Sequence, residues 1–100
     1  MIANDLIGKY VIVRSVEAGV FAGTLESLDG LNVRLKNARR IWYWDGAASC
    51  SELAVNGTKK PENCKFPPEV STVVLLNCKE ILETSKEAEK SIKKVKEWVA

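Results

Sequence analysis

One hundred residues, 46% of them hydrophobic, are enough for one compact domain and too few for two independent cores. A formal charge of +2, three cysteines, no histidine and no apolar run of transmembrane length argue against a zinc site, a disulfide framework, a membrane span and the broad basic surface of a duplex-DNA binder. The expectation is a soluble, cytoplasmic protein with reduced thiols and with no metal or cofactor; Met1 to Ile7 has neither the basic flank nor the long apolar core of a secretory signal.

In chain order, Ile2 to Ile7 reads as a short turn or helix stopped by Gly8, and Tyr10 to Val16 is β-branched and apolar enough for a first strand. Glu17-Ala18-Gly19 turns the chain. Val20 to Leu28 alternates apolar and polar side chains, Asp29-Gly30 is a strong hairpin signal, and Leu31 to about Lys36 alternates again as a third strand. Gly23 inside the second strand marks a bend or a close backbone approach, which suits a small, strongly curved barrel. Ile41 to Trp44 is expected to continue the third strand after a bend at Asn37 and Ala38.

The insertion over about 45–68 holds a short helix ending near Val55, with Gly57 as its stop. Two starts compete for it, an Asp45 cap and the capping box Ser49-x-x-Glu52. Thr58 to Asn63 is loop by composition, and Pro67-Pro68 forces an extended backbone before the next segment. Val70 to Leu76, nearly continuous in apolar character, is expected to be a central strand buried on both faces, with Cys78 to Glu83 as its partner. Thr84-x-x-Glu87 reads as a capping box opening a C-terminal helix over about 85–98, with Ala88, Ile92, Val95 and Val99 on its buried face. Its Lys and Glu face is expected to be solvated. The whole is a mainly β, α+β single domain, with barrel strands over about 9–44 and 69–83.

Charge is unevenly distributed: residues 1–30 sum to −2, residues 31–65 to +4 and residues 66–100 to zero. The positive third also holds Arg39-Arg40-Ile41-Trp42-Tyr43-Trp44. If that run is extended, Arg40, Trp42 and Trp44 share one face and Arg39, Ile41 and Tyr43 the other. A guanidinium beside two indoles suits stacking a base and neutralising a phosphate. The competing reading makes the indoles core or subunit-interface anchors with the arginines at the rim. Lys36 and Asn37 extend the candidate ligand site, and Ser49 offers a hydroxyl or a helix-start amide, with capping as its alternative use. Cys50, Cys64 and Cys78 read as small apolar fillers. Without histidine, a Gly-rich phosphate loop or a carboxylate pair at ligand spacing, the chain is not expected to be an enzyme, and no catalytic residue is assigned.

The blocks Val11 to Val16, Gly23 to Asp29 and Asn32 to Asn37, together with Glu69 to Val74, resemble the strand motifs of Sm and Hfq proteins. That resemblance implies a bent five-stranded antiparallel Sm/SH3-like barrel, here with a helical insertion between strands three and four and without the histidine motif of Hfq. More of the chain, namely Val20 to Ser27, Lys36-Asn37-Ala38-Arg39-Arg40-Ile41-Trp42-Tyr43-Trp44-Asp45-Gly46-Ala47-Ala48-Ser49 and Asn63 to Phe66, resembles a family of small uncharacterised tailed-bacteriophage and prophage proteins. The implied role is a phage accessory protein acting in the host cytoplasm. The expected function is a non-enzymatic homo-oligomer holding a nucleotide-type anion, either RNA or a small signalling nucleotide such as a sequestered host immune signal. Docking on a host protein and a minor place in the virion are the alternatives.

Overall fold

The computed structural model describes residues 2–100; Met1, at the start of the stretch read against a secretory signal, lies outside them. A 3-10 turn at Asn4–Leu6 leads into β1 (Tyr10–Ser15), β2 (Gly19–Asp29) and β3 (Asn32–Arg40). Helix α1 (Cys50–Asn56) and a second 3-10 turn (Pro61–Asn63) fill the insertion, followed by β4 (Val70–Leu75), β5 (Cys78–Glu83) and α2 (Lys86–Lys94). All neighbouring strands are antiparallel, in the order β4-β3-β2-β1-β5.

The strand buried on both faces is β1, not the expected Val70 to Leu76 segment. Tyr10 and Ile12 project into one core with Ala22, Ile41, Leu53, Phe66 and Ile92, whereas Val11 and Val13 project into the other with Phe21, Leu25, Leu35 and Leu75. Each fully buried aliphatic side chain contributes roughly 1.5–3 kcal/mol, which favours a covered central place for this tetrad. By contrast β4 is an edge strand with Val70 and Val74 half exposed, and β5 pairs with β1 rather than with β4.

Curvature follows from connectivity. In a flat sheet the outer strands of five would lie roughly 19 Å apart at about 4.8 Å per spacing, yet β4 and β5 are joined only through Leu76 and Asn77. Three Cα steps reach about 11 Å at most, so the sheet curls until its two edges meet at that corner. Asn77 turns it with a left-handed φ of 60°, and the Cys78 N–H donates to the Leu31 carbonyl at 2.8 Å. The expected barrel is nevertheless not closed, since no ladder joins β4 to β5 among the described residues. The insertion and α2 instead cover one face of the sheet and build a second core there, so both faces are buried without closure.

The bend falls where the glycine predicted it. Pairing of β2 with β3 shifts between Ala22 and Thr24, opposite Asn37, whose φ is 51°. A Cβ on Gly23 would stand 2.9 Å from the Ala38 Cβ, so only glycine allows this approach. β3 therefore runs on past the bulge to Arg40 as one strand. At the hairpin, Asp29 pairs with Asn32 and Gly30 takes the first turn position at φ 59°.

Of the two starts proposed for α1, Ser49 is the cap. Its Oγ accepts from the Glu52 N–H at 3.1 Å, and Glu52 Oε1 accepts from the Ala48 N–H at 2.6 Å. Asp45 instead folds a turn, accepting from the Gly46 N–H and from Asn63 Nδ2. At α2 the expected Thr84 box does not form: the Thr84 hydroxyl donates to the Tyr10 carbonyl at 2.7 Å, and Ser85 becomes a simple cap with Ala88, not a glutamate, at the third position. α2 also ends at Lys94, not near 98: Val95 turns extended, Glu97 bridges Phe66, and Val99 is 63% exposed instead of lying on a buried face.

Candidate ligand-binding surface

Strand alternation at the end of β3 sends the two arginines in opposite directions. Arg39 points inward and is only 4% exposed. Its Nη1 donates to the carbonyls of Ile92 at 3.0 Å and Val95 at 2.7 Å, its Nη2 to Phe66 at 2.9 Å, and its Nε to Pro67 at 3.3 Å. The guanidinium also lies 5.4 Å from the Phe66 ring centroid. Burial pulls its pKa below the usual arginine value, with Tyr10, Glu97 and Glu69 acting in the opposite sense. Arg39 thus ties the end of α2 to the 66–67 segment, which explains why the helix stops where it does. Beside it, the Tyr10 hydroxyl is buried with no hydrogen-bond partner among the described residues, and burial pushes its pKa up.

Arg40 points outward. It donates to the Ala18 carbonyl at 2.6 Å and stacks 4.4 Å over the Phe21 ring at an exposed position. After Arg40 the ladder lasts for one more bond, Ile41 N–H to Val20 carbonyl, and Ile41 is buried. Trp42 is 63% and Tyr43 50% exposed, which leaves both rings open to a ligand or partner. The main chain of Tyr43 exchanges two hydrogen bonds with Lys65. The Lys65 ammonium consequently lies between two rings, 6.0 Å from Tyr43 and 5.5 Å from Trp98.

Of the eight residues singled out in the sequence, Arg40, Trp42 and Tyr43 are exposed, but only Tyr43 meets Lys65, while Arg40 lies over Phe21. Trp44 turns back toward the core and donates from Nε1 to the Ala47 carbonyl. Lys36 is held on β3 by Thr72 and Glu26, Asn37 forms the bulge, and Ser49 caps α1. Arg39 has its donors engaged inside the protein, so it contributes no charge to the surface. Lys65 and Trp98 were not anticipated. Trp98 sits among Lys93, Lys94 and Lys96, and an indole inside a lysine run was the signal available.

The thiols behave as filler by placement: Cys64 and Cys78 are buried, Cys50 partly so, and all are free. Burial pushes the pKa of Cys50 and of Cys78 up, which lowers the thiolate population. Among the described residues no helix is long and apolar enough to cross a membrane, and no group of three or more His, Cys, Asp or Glu side chains is arranged to hold a metal ion.

Sheet and surface together define a small α+β domain, a curled five-stranded antiparallel sheet with two helices and an exposed aromatic and cationic rim. The chain belongs to the family described as Domain of unknown function (DUF6948), whose model matches residues 8–92. That match takes in the whole sheet and α1, and ends at Ile92, the last buried residue within α2. No curated protein matches the chain.

Proposed function

We propose that the protein is a non-enzymatic, homo-oligomeric binding domain that holds a nucleotide-type anion on the rim beyond β3. The observation that carries this reading is the Lys65 ammonium lying over both the Tyr43 and Trp98 rings, with the largely exposed Trp42 next to Tyr43 in the chain. Aromatic faces interleaved with cations are what a base and a phosphate require, and they supply no general acid or base for a reaction. RNA and a small signalling nucleotide share that chemistry. A phage-encoded protein sequestering such a signal in the host cytoplasm is the biological form of the proposal.

The oligomeric part is supported by the β4 edge. From Val70 to Cys78 there is no charged side chain, and Val74 and Leu76 are 52% and 63% exposed. Edge strands that remain solitary usually carry charge or proline, so an uncharged β-branched edge suits pairing with another copy.

The test is titration of the purified protein with ATP and with a hexa-adenylate RNA, followed by tryptophan fluorescence and calorimetry. Trp42→Ala is expected to weaken binding by roughly 5- to 150-fold, the equivalent of the ~1–3 kcal/mol carried by one stacked base. Arg40→Glu is expected to weaken it further while the circular dichroism spectrum and the solution mass stay unchanged. Failure of both ligands to bind the unaltered protein would refute the reading. A second reading, docking on a host protein, is favoured by the Arg, Trp and Tyr composition of the same rim, which is also that of interface hot spots. It predicts loss of a stoichiometric protein complex in Trp42→Ala with no nucleotide affinity in the unaltered chain.

A further inference from the structure

Beyond the rim, an open cleft of about 600 Å³ lies between the Pro61–Asn63 turn and the extended segment after α2. None of the eight candidate ligand-site residues lines it. Pro61, Trp98 and Val99 supply apolar walls, and Cys64 reaches it from the core side. Lys94 and Lys96 bring two ammonium groups and Glu62 and Glu97 two carboxylates. Neither Lys94 nor Lys96 forms an ion pair among the described residues, although Lys93 next to them pairs with Glu89 at 2.6 Å. Trp98 is shared: Lys65 lies over its ring, and the indole also borders the cleft.

The walls are held from behind. The Trp98 N–H donates to the Phe66 carbonyl at 2.9 Å, Glu97 bridges Phe66, and Arg39 grips the carbonyls of Ile92, Val95 and Phe66. On the opposite side, the turn is closed by the Asn63 N–H to the Lys60 carbonyl and the Cys64 N–H to the Pro61 carbonyl. A cleft with a braced frame loses little ordering entropy when it is filled. Its volume is within the ~300–1,000 Å³ range typical of small-molecule sites.

We propose that this cleft seats one nucleoside phosphate unit of the ligand, with Lys94 and Lys96 on the phosphate and the base against Trp98. The proposal rests on the nucleotide-binding reading above and says where the phosphate goes. An ammonium pair facing flat apolar walls fits an anion attached to a planar ring system, and the two carboxylates can accept from ribose hydroxyls or exocyclic amines. Free nucleotide and an RNA terminus both carry that unit.

Heteronuclear NMR titrations of the full chain distinguish these cases, using ATP, adenosine, inorganic pyrophosphate and hexa-adenylate RNA with and without a 5′-phosphate. ATP is expected to move the amides of residues 62–65 and 94–99 and to bind at least tenfold more tightly than adenosine or pyrophosphate. A 5′-phosphate dependence of the RNA would identify a strand terminus as an additional source of the unit. Lys96→Glu and Trp98→Ala, both outside α2, are each expected to weaken ATP at least tenfold without altering the spectrum elsewhere. If ATP binds and Trp42→Ala weakens it while Lys96→Glu remains within twofold of the unaltered chain, the cleft is the wrong seat and the nucleotide reading stands. If neither ATP nor RNA binds at all, that reading and the cleft fall together.

Discussion

Replacing Arg39 with methionine keeps an unbranched apolar stem in place and removes a guanidinium that binds four carbonyls in two segments. The losses are unequal. The Phe66 carbonyl still accepts from the Trp98 N–H, and that of Ile92 from the Val95 N–H, whereas Val95 and Pro67 lose the only donors they have among the described residues. Two bare carbonyls at about 1–3 kcal/mol each, plus two weakened charge-assisted bonds, place the total at about 3–5 kcal/mol. Against a typical domain stability of ~5–15 kcal/mol that is a large share. At ~4–8 °C per kcal/mol for a domain of this size, Tm is expected to fall by roughly 20 °C. Urea and thermal denaturation measure it, and amide exchange at Trp98 should accelerate first because its hydrogen bond depends on the segment that Arg39 holds. Arg40→Met is the control: that side chain lies on the surface over Phe21, and its loss should cost about 1 kcal/mol or less. A stability for Arg39→Met equal to that of Arg40→Met would show that the guanidinium does not hold the C-terminal segment.

Two further outcomes follow from the fold. Val74→Lys puts a charge on the open β4 edge, so light scattering should report a monomer where the unaltered chain is larger, with thermal stability of the monomer unit preserved; an unchanged mass would remove this edge from the interface. Asp45 gives a pH dependence. The Asn63 amide first, and then the Gly46 N–H, hold its carboxyl below the usual aspartate range. A lowered folded-state pKa means that its stabilising contribution is complete above the ordinary value near ~4 and is lost as pH falls through the lower folded value. Asp45→Ala should therefore be less stable than the unaltered chain at pH 7 and closer to it at pH 2, by urea denaturation at both; an equal gap at the two pH values would contradict the assignment.

Local chemistry made much of the frame legible. Gly23 had to mark a bend because a Cβ there collides with Ala38, the Asp29-Gly30 pair had to turn, and Ser49 with Glu52 formed the capping box because both partners lie within one helical turn. Competition between adjacent hydroxyls was harder to read. Thr84 and Ser85 are equally good caps in isolation, and the nearby Tyr10 carbonyl, 74 residues away in sequence, takes the threonine and leaves the serine. The candidate surface was half legible, since Arg40, Trp42 and Tyr43 are consecutive or nearly so. Lys65 and Trp98 join Tyr43 only because one bridge pairs Tyr43 with Lys65 and another pairs Phe66 with Glu97.

By itself, the order of residues determined what depends on a few bonds: the strand alternation, the tight turn, the helix caps and the glycine bend. Tertiary structure decided which apolar strand lies at the centre, because Tyr10 to Val13 and Val70 to Leu75 present similar apolar runs and only the packing of helices and strands covers the first on both faces. It also decided which arginine is internal. Two neighbouring guanidiniums carry the same charge in the sequence, but alternation combined with four waiting carbonyls draws Arg39 inward and leaves Arg40 on the surface.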